Sequence, residues 1–515
     1  GRVNMLKLGI FGRCDLTKKG AGALPQEIIE FLLSPGGHSL LIKGDAGTGK
    51  TTMALQMCEA LSDQQPEYYL SSRVSDVSLY RQFPWLEERV RNNQITREGM
   101  AFTRRPSGRN QKRNGLRLPE PQVDRKELNR LEGQIEAGEM GEEDSGAVLQ
   151  PDGSFVVEIG TLLPELEAAY DIVEANLPKK TLVIMDSVEA LAETYGIPSY
   201  RIVNALQKDL VEKAGANIVL VMETADRSPL DYLGDGVIVL RNSVQGDHRM
   251  RSLEIQKLRG AAIRNWKYLF TLDDGRLTVM ERDLDLAGAL LTPSEAELPS
   301  ERCSFGWSEM DRLFGGVGAG SLTVLEVGEG VPIDLLERME EALVAEHLKR
   351  GRAVLWYPQH TLNYAELPEQ LGGRGADMAN LHILDVRVAD EHPFVSKIEG
   401  QDLASDLRWD SIKYLLKGGS GPYLSLMGLD ALESVYGPIA PKLSNHIDTM
   451  RRGGHLVVLE ATDQSQGLGA LAHHARLHLR IENLNGSVIL RGKKPSTICH
   501  SLSVKEGSLR WTPML

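Results

Sequence analysis

Residues 44–51, GDAGTGKT, have the composition and spacing of a loop built to hold phosphate. Glycines at such spacing let a backbone curl until its N–H groups converge on anionic oxygens. Lys50 would bring a positive charge to the outer phosphates, and the Thr51 hydroxyl is the right group to ligate Mg²⁺. An apolar run at 39–43 leads in and the helically spaced stretch 50–61 leads out, so a helix N-terminus adds its positive dipole end. The pattern G-x-x-x-x-G-K-[ST] in that setting assigns Gly44, Asp45, Ala46, Gly47, Thr48, Gly49, Lys50 and Thr51, with the adjoining Thr52, to ATP. Asp186 closes the apolar stretch TLVIMD and is the expected partner of the Mg²⁺ that Thr51 holds. Thr224, after NIVLVME, reads either as a γ-phosphate sensor or as a turn residue.

A loop of this kind needs a buried strand before it and a sheet around it. Runs at 182–185, 217–222 and 236–240 are apolar apart from Asn217, as strands covered on both faces are. Helical spacing at 161–175 and 197–214 separates them. Strand, helix, strand in series predicts a mostly parallel α/β sheet with helices on both sides. The stretch 253–270 reads as a hairpin edge with Lys257 and Arg259 on one face, the plain alternative being a solvated strand face. Between 94 and 150 the pattern fails. That stretch is basic at 103–117 and mainly acidic at 127–144, and reads as a charged, flexible insertion.

At 515 residues the chain is too long for one ordinary core. Its later half echoes its earlier half. MDSVEALAETYG (185–196) returns as MGLDALESVYG (427–437), and LRGAAIRNWKYLFTLDDGRL (258–277) as LRGKKPSTICHSLSVKEGSL (490–509). GDAGTGKT has an echo in GEGVPIDL (328–335), also after an apolar run. Three echoes in the same order predict a tandem duplicated domain: 1–289, a linker at 290–301, and 302–515. Aligned on their first glycines, Lys50 meets Asp334 and Thr51 meets Leu335. Asp186 meets Gly428, with Asp430 as a displaced carboxylate. Lys257 meets Ile489, while Arg259 meets Arg491. The second copy is therefore expected to be degenerate, with a site rebuilt for another ligand as the alternative.

A net charge of −13 argues against general attraction to nucleic acid or anionic membrane, but leaves room for a local contact through Arg104–Arg117. Cysteines at 14, 58, 303 and 499 are too scattered for a disulfide framework, so a cytoplasmic protein with reduced thiols is expected. No run is long and apolar enough to cross a membrane. His473 and His474 lack a third ligand at metal spacing and read as a surface pair. Phe83 and Trp85 in QFPWL read as core or contact residues.

In GHSLLIKGDAGTGKTTMALQ, LVIMDSVEAL, DYLGDGVIVLR and LEIQKLRG the chain resembles the KaiC/RecA-like ATPases over nearly its whole length. The resemblance implies that Lys257 and Arg259 reach the nucleotide of a neighbouring copy, in a ring or filament. YYLSSRVSDVSLYRQFPWL (68–86) and the arginine-rich TRRPSGRNQKR (103–113) are similar to archaeal GvpD-type proteins, the gas-vesicle regulators. KaiC-type domains carry a Glu-Glu pair after this strand, one of which positions the attacking water. Ser72 and Arg73 stand there instead. Arg73 cannot accept a proton, and is assigned as a γ-phosphate sensor, with Asp76 and Glu189 as substitute bases. A loop without its general base forgoes roughly 10²–10⁴ in rate. The expectation is a slow ATPase or ATP-gated switch that acts on a regulatory protein partner. The alternatives are a DNA-acting RecA-like ATPase and a non-hydrolysing, ATP-stabilised scaffold.

Overall fold

The computed structural model describes residues 24–71, 79–81, 83–91, 95–98, 101–104, 147–149, 155–157, 164–245, 248–294, 298–299, 301–388, 392–398, 400–407 and 421–515. The chain divides into two units, Gly1–Val279 and Met280–Leu515.

In the first unit the described strands are β1 (Ser39–Gly44), β2 (Glu67–Ser71), β3 (Ile95–Glu98), β4 (Ala101–Arg104), β5 (Ala147–Leu149), β6 (Phe155–Val157), β7 (Leu182–Asp186), β8 (Asn217–Met222), β9 (Gly236–Gln245), β10 (His248–Leu258), β11 (Lys267–Thr271) and β12 (Thr278–Val279). Ten of them form one sheet in the order β12-β11-β10-β9-β1-β8-β7-β2-β4-β3. The strands β2, β7, β8, β1 and β9 run parallel. Every residue of β1 and β8 is buried, which explains why they are apolar except at Ser39, Lys43 and Asn217. Helices Gln26–Leu33 and Lys50–Leu61 cover one face, through Ile28, Leu32, Met53 and Met57 against Ile42, Val219 and Val221. Helices Val188–Tyr195 and Ser199–Leu206 cover the other, against Leu41, Val183 and Leu220. Burying each such side chain contributes about 1.5–3 kcal/mol.

The second unit contains β13 (Arg302–Cys303), β14 (Val317–Gly318), β15 (Leu322–Val327), β16 (Val354–Tyr357), β17 (Leu381–Asp385), β18 (Val395–Lys397), β19 (Leu424–Gly428), β20 (Leu456–Thr462), β21 (Leu477–Leu484), β22 (Ser487–Lys494), β23 (His500–Lys505) and β24 (Ser508–Pro513). Its large sheet runs β24-β23-β22-β21-β15-β20-β19-β16-β17-β18. From β24 to β16 this is the order of the first sheet from β12 to β2, strand for strand, so the fold is a tandem duplication of one mostly parallel α/β domain. The copies differ at one edge, where β4 is antiparallel to β2 but β17 is parallel to β16.

The stretch expected as a linker is partly built into the second unit. Leu290 N donates to Gly507 O and Leu509 N to Leu290 O, both at 2.9 Å, and Leu291 is buried. The apolar pair Leu290–Leu291 adds to the edge of the second sheet, which explains why contacts divide the chain earlier than composition does.

Candidate functional site

The loop stands at the carboxyl end of β1, the central strand, where open α/β sheets bind ligands. Only glycine fits at its first position. A Cβ on Gly44 would lie 2.6 Å from Leu240 O and 2.7 Å from Thr48 Oγ1. Gly47 and Gly49 adopt φ of 73° and 99°, left-handed values that glycine takes without strain. Thr48 Oγ1 and Lys50 Nζ donate to Asp45 O at 2.9 and 2.8 Å, so the lysine lies along its own loop. Burial pulls the Lys50 pKa down, while the charges of Glu223, Asp186, Asp45 and Glu189 pull it back up.

Thr51 and Asp186 come together from positions far apart in sequence. Thr51 Oγ1 donates to Asp186 Oδ2 at 2.6 Å, and Tyr69 OH donates to the same oxygen at 3.0 Å. Burial raises the Asp186 pKa, and the bonds from Thr51 and Tyr69 oppose it. A hydroxyl beside a carboxylate at a strand end is the donor set that Mg²⁺ takes, so these residues fit the ion. Sequence reading missed Tyr69 and Glu223. The second had a signal, a charged residue closing an otherwise apolar strand. Arg251 was missed too, and its Nη1 donates to Gly47 O at 2.9 Å.

Residues 28–259 match the family described as GvpD gas vesicle protein, P-loop domain. The first unit carries a GvpD-type P-loop domain. The chain is similar to Protein GvpD2 of Halobacterium salinarum, at 24% identity over 511 residues and 93% of each chain. It is similar to Protein GvpD1 of the same organism, at 23% over 556 residues and again 93% of each. Circadian clock oscillator protein KaiC of Synechococcus elongatus is 29% identical over 182 residues, 32% of each chain. A GvpD-type P-loop, like others, implies a bound nucleotide with Mg²⁺.

The other expected residues of the GvpD-type domain fall in different places. Ser72, Arg73, Asp76 and residues 105–117 lie outside the described residues, as do the side chains of Arg104 and Trp85. Phe83 is in the core. Thr224 Oγ1 accepts from Asp226 N at 3.1 Å, which is the turn role. Glu189 Oε1 accepts from Glu223 N at 3.0 Å. Lys257 pairs opposite Val237, which is level with Leu41, so it sits toward the end of the parallel strands away from the loop. Its Nζ donates to Asp231 O, Tyr232 O and Gly234 O, and Arg259 Nη1 meets Asp235 Oδ1 at 2.9 Å. The stretch 253–270 forms β10 and β11 one short strand in from the sheet edge, since β12 pairs with β11 only at Phe270 and Thr271.

The strand registers correct the comparison between the copies. Leu40 pairs with Gly236 at the start of β9, and Thr323 with Leu477 at the start of β21. Gly44 is therefore level with Val327, one residue from the glycine-to-glycine alignment, and the two helices begin at Lys50 and Ile333. Ile333 stands for Lys50 and Asp334 for Thr51, in place of Asp334 and Leu335. Neither suits a phosphate: one is apolar and the other repels an anion. The LRG echo is not a structural equivalence. Leu258 lies opposite Gly236 at a strand end, but Leu490 lies mid-strand opposite Ile481, because the hairpins differ in length. Lys494 takes the place of Lys257, and its Nζ donates to His473 O at the end of a helix, much as Lys257 does.

Gly428 does replace Asp186, and packing enforces it. A Cβ there would lie 2.3 Å from Gln359 Cα. Asp430 is the counterpart of Glu189, one residue into the next helix, and not a displaced Asp186. It accepts from Thr462 N at 2.9 Å, the bond Glu189 makes with Glu223 N. His473 and His474 are exposed, and no metal-holding group of three or more His, Cys, Asp or Glu occurs among the described residues.

Proposed function

We propose that the chain is an ATP-gated regulatory switch with one nucleotide site per chain, in the first unit. The observation that carries this reading is the Thr51–Asp186 pair, 2.6 Å apart at the mouth of a loop whose Lys50 is already folded inward. The loop amides and Lys50 would bind the phosphates. Thr51 and Asp186 would hold Mg²⁺, which supplies charge neutralisation between the outer phosphates. Tyr69 and Glu223 fix and tune that pair from behind. Turnover is slow in this reading, because Glu189 already serves the Glu223 amide and Ser72–Arg73 supply no carboxylate.

Lys257 and Arg259 lie toward the far end of their own sheet from the loop, so any phosphate they touch belongs to another copy. In this reading they act in trans in a homo-oligomer, after leaving the contacts they make within their own chain. The second unit carries a loop without phosphate-binding groups, and its role is to engage a regulatory protein. Equilibrium binding tests the reading directly. One ATP per chain is expected, with none after Lys50→Ala. Two per chain, or one that survives Lys50→Ala, overturns it. Capture of a partner that differs between the ATP and ADP states tests the switch.

A further inference from the structure

The second unit holds buried polar groups that its phosphate loop does not account for. Glu340, on the helix Ile333–Lys349, and Glu460, in β20, are 4% and 1% exposed. Among the described residues no other side chain or backbone N–H donates to either carboxyl, so the two acids have only each other as hydrogen-bond partners, and Thr323 Oγ1 in β15, 1% exposed, has none. All three residues line one cavity of about 40 Å³. The remaining wall is almost wholly hydrocarbon and includes Phe305, Trp307 and Leu343.

Register shows that these polar groups are particular to this copy. Thr323 is level with Leu40 and Glu460 with Val221, and Glu340 lies as far into its helix as Met57 into the helix Lys50–Leu61. The first unit packs those three apolar residues in one core cluster. The second has exchanged a hydrocarbon contact for two acids, a hydroxyl and a space. Two buried acids whose only partner is each other cost stability, so three coincident exchanges around one cavity need a reason.

We propose that this cavity binds a small primary ammonium compound, with its cationic head on Glu340, Glu460 and Thr323 and a short alkyl body against Phe305, Trp307 and Leu343. An ammonium group has three donors and no acceptor, which suits two carboxyls and a hydroxyl. The surroundings are negative. Glu337, Glu341 and Asp430 add their charge to the pair. The nearest cationic candidate, His360, has its Nε2 3.2 Å from Glu340 Oε2 but no hydrogen bond to it. Burial and the charge of Arg387 push its pKa down and hold it neutral. Burial raises both carboxyls, and for Glu340 the charge of Glu460 adds to it, so the pair keeps a proton until a cation arrives. A bare inorganic ion is a poorer fit, because it needs about six oxygen ligands rather than hydrocarbon walls. The volume admits roughly three or four heavy atoms, at ~10–15 Å³ for each water-sized occupant.

The test is thermal unfolding of the full chain with ethyl- and n-propylammonium chloride, against 1-propanol and potassium chloride at matched concentration and ionic strength. The ammonium compounds should raise the unfolding temperature by about 5–10 °C at ~100 times their Kd, and the controls should not. The rise should vanish in Glu460→Gln and in Thr323→Val, while ATP binding at Lys50 is unchanged. Two variants guard against misfolding of either one. An equal rise with 1-propanol would show plain filling of an apolar cavity and overturn the proposal. So would no rise with any ammonium compound, or a rise that persists in both variants.

Discussion

Glu189 is a substitute base on sequence grounds, yet its Oε1 accepts from the amide of Glu223. Asp430 makes the same bond in a copy whose loop has Ile333 and Asp334 where the first has Lys50 and Thr51, which marks the contact as structural. Glu189→Gln, which keeps the acceptor, should therefore leave ATP hydrolysis within about threefold. A general base would lose roughly 10²–10⁴, so single-turnover kinetics separates the two. Asp186→Asn should weaken Mg²⁺-dependent nucleotide binding by about 10–100-fold, read by titration with and without the ion. The reverse change in the second unit should not create a site. Gly428→Asp drives a side chain into the Gln359 backbone and should cost the second unit more than about 2 kcal/mol, measured by denaturant unfolding.

At the scale of elements, the central strands β1 and β15 carry opposite charges at one level. Lys43 in β1 is buried and meets Asp231 Oδ1 at 2.6 Å. Glu326 in β15 meets His478 Nε2 at 2.8 Å, Lys493 Nζ at 2.9 Å and Arg480. Burial alone would raise the Glu326 pKa. Hydrogen bonds from His478 and Lys493, with the charges of Lys493 and Arg480, overcome it and bring the value to about 2. A depressed carboxyl stabilises the fold above its unfolded pKa of about 4.5 and loses that contribution as pH falls toward 2. The second unit should therefore lose on the order of 2–3 kcal/mol over that window. Glu326→Gln should flatten the acid limb of its stability curve. The buried pair Glu340 and Glu460 works in the opposite sense. Their raised values favour the fold at low pH, and that contribution is lost as pH rises through them. Glu460→Gln should accordingly stabilise the second unit more at pH 8 than at pH 5.

For the whole molecule, the placing of Lys257 and Arg259 bears on assembly. If they serve a neighbour's nucleotide, Lys50→Ala and Arg259→Ala chains fail in different ways. Mixed together they should recover part of the hydrolysis that each lacks, in proportion to mixed contacts. No recovery at any ratio, with assembly confirmed by sedimentation, would remove the trans role. Among the described residues no helix is long and apolar enough to cross a membrane.

The sequence by itself determined the parallel α/β class, the phosphate loop and the duplication. Buried parallel strands must be continuously apolar, and a phosphate loop must spend its glycines and its lysine at fixed spacing. Asp186 was legible for the same reason, as a charge ending an apolar run. Tertiary structure alone decided which residues of the two copies correspond. A shift of one residue at the second loop, or a hairpin of different length, leaves the local pattern intact while it changes which side chains share a layer. Strand pairing resolves this, because hydrogen-bond register ties Leu40 to Gly236 and Thr323 to Leu477 whatever the letters suggest. The same register brought Thr323, Glu340 and Glu460 around one cavity. No sequence pattern could show that, because the three lie far apart along the chain and meet only where the second helix crosses the sheet.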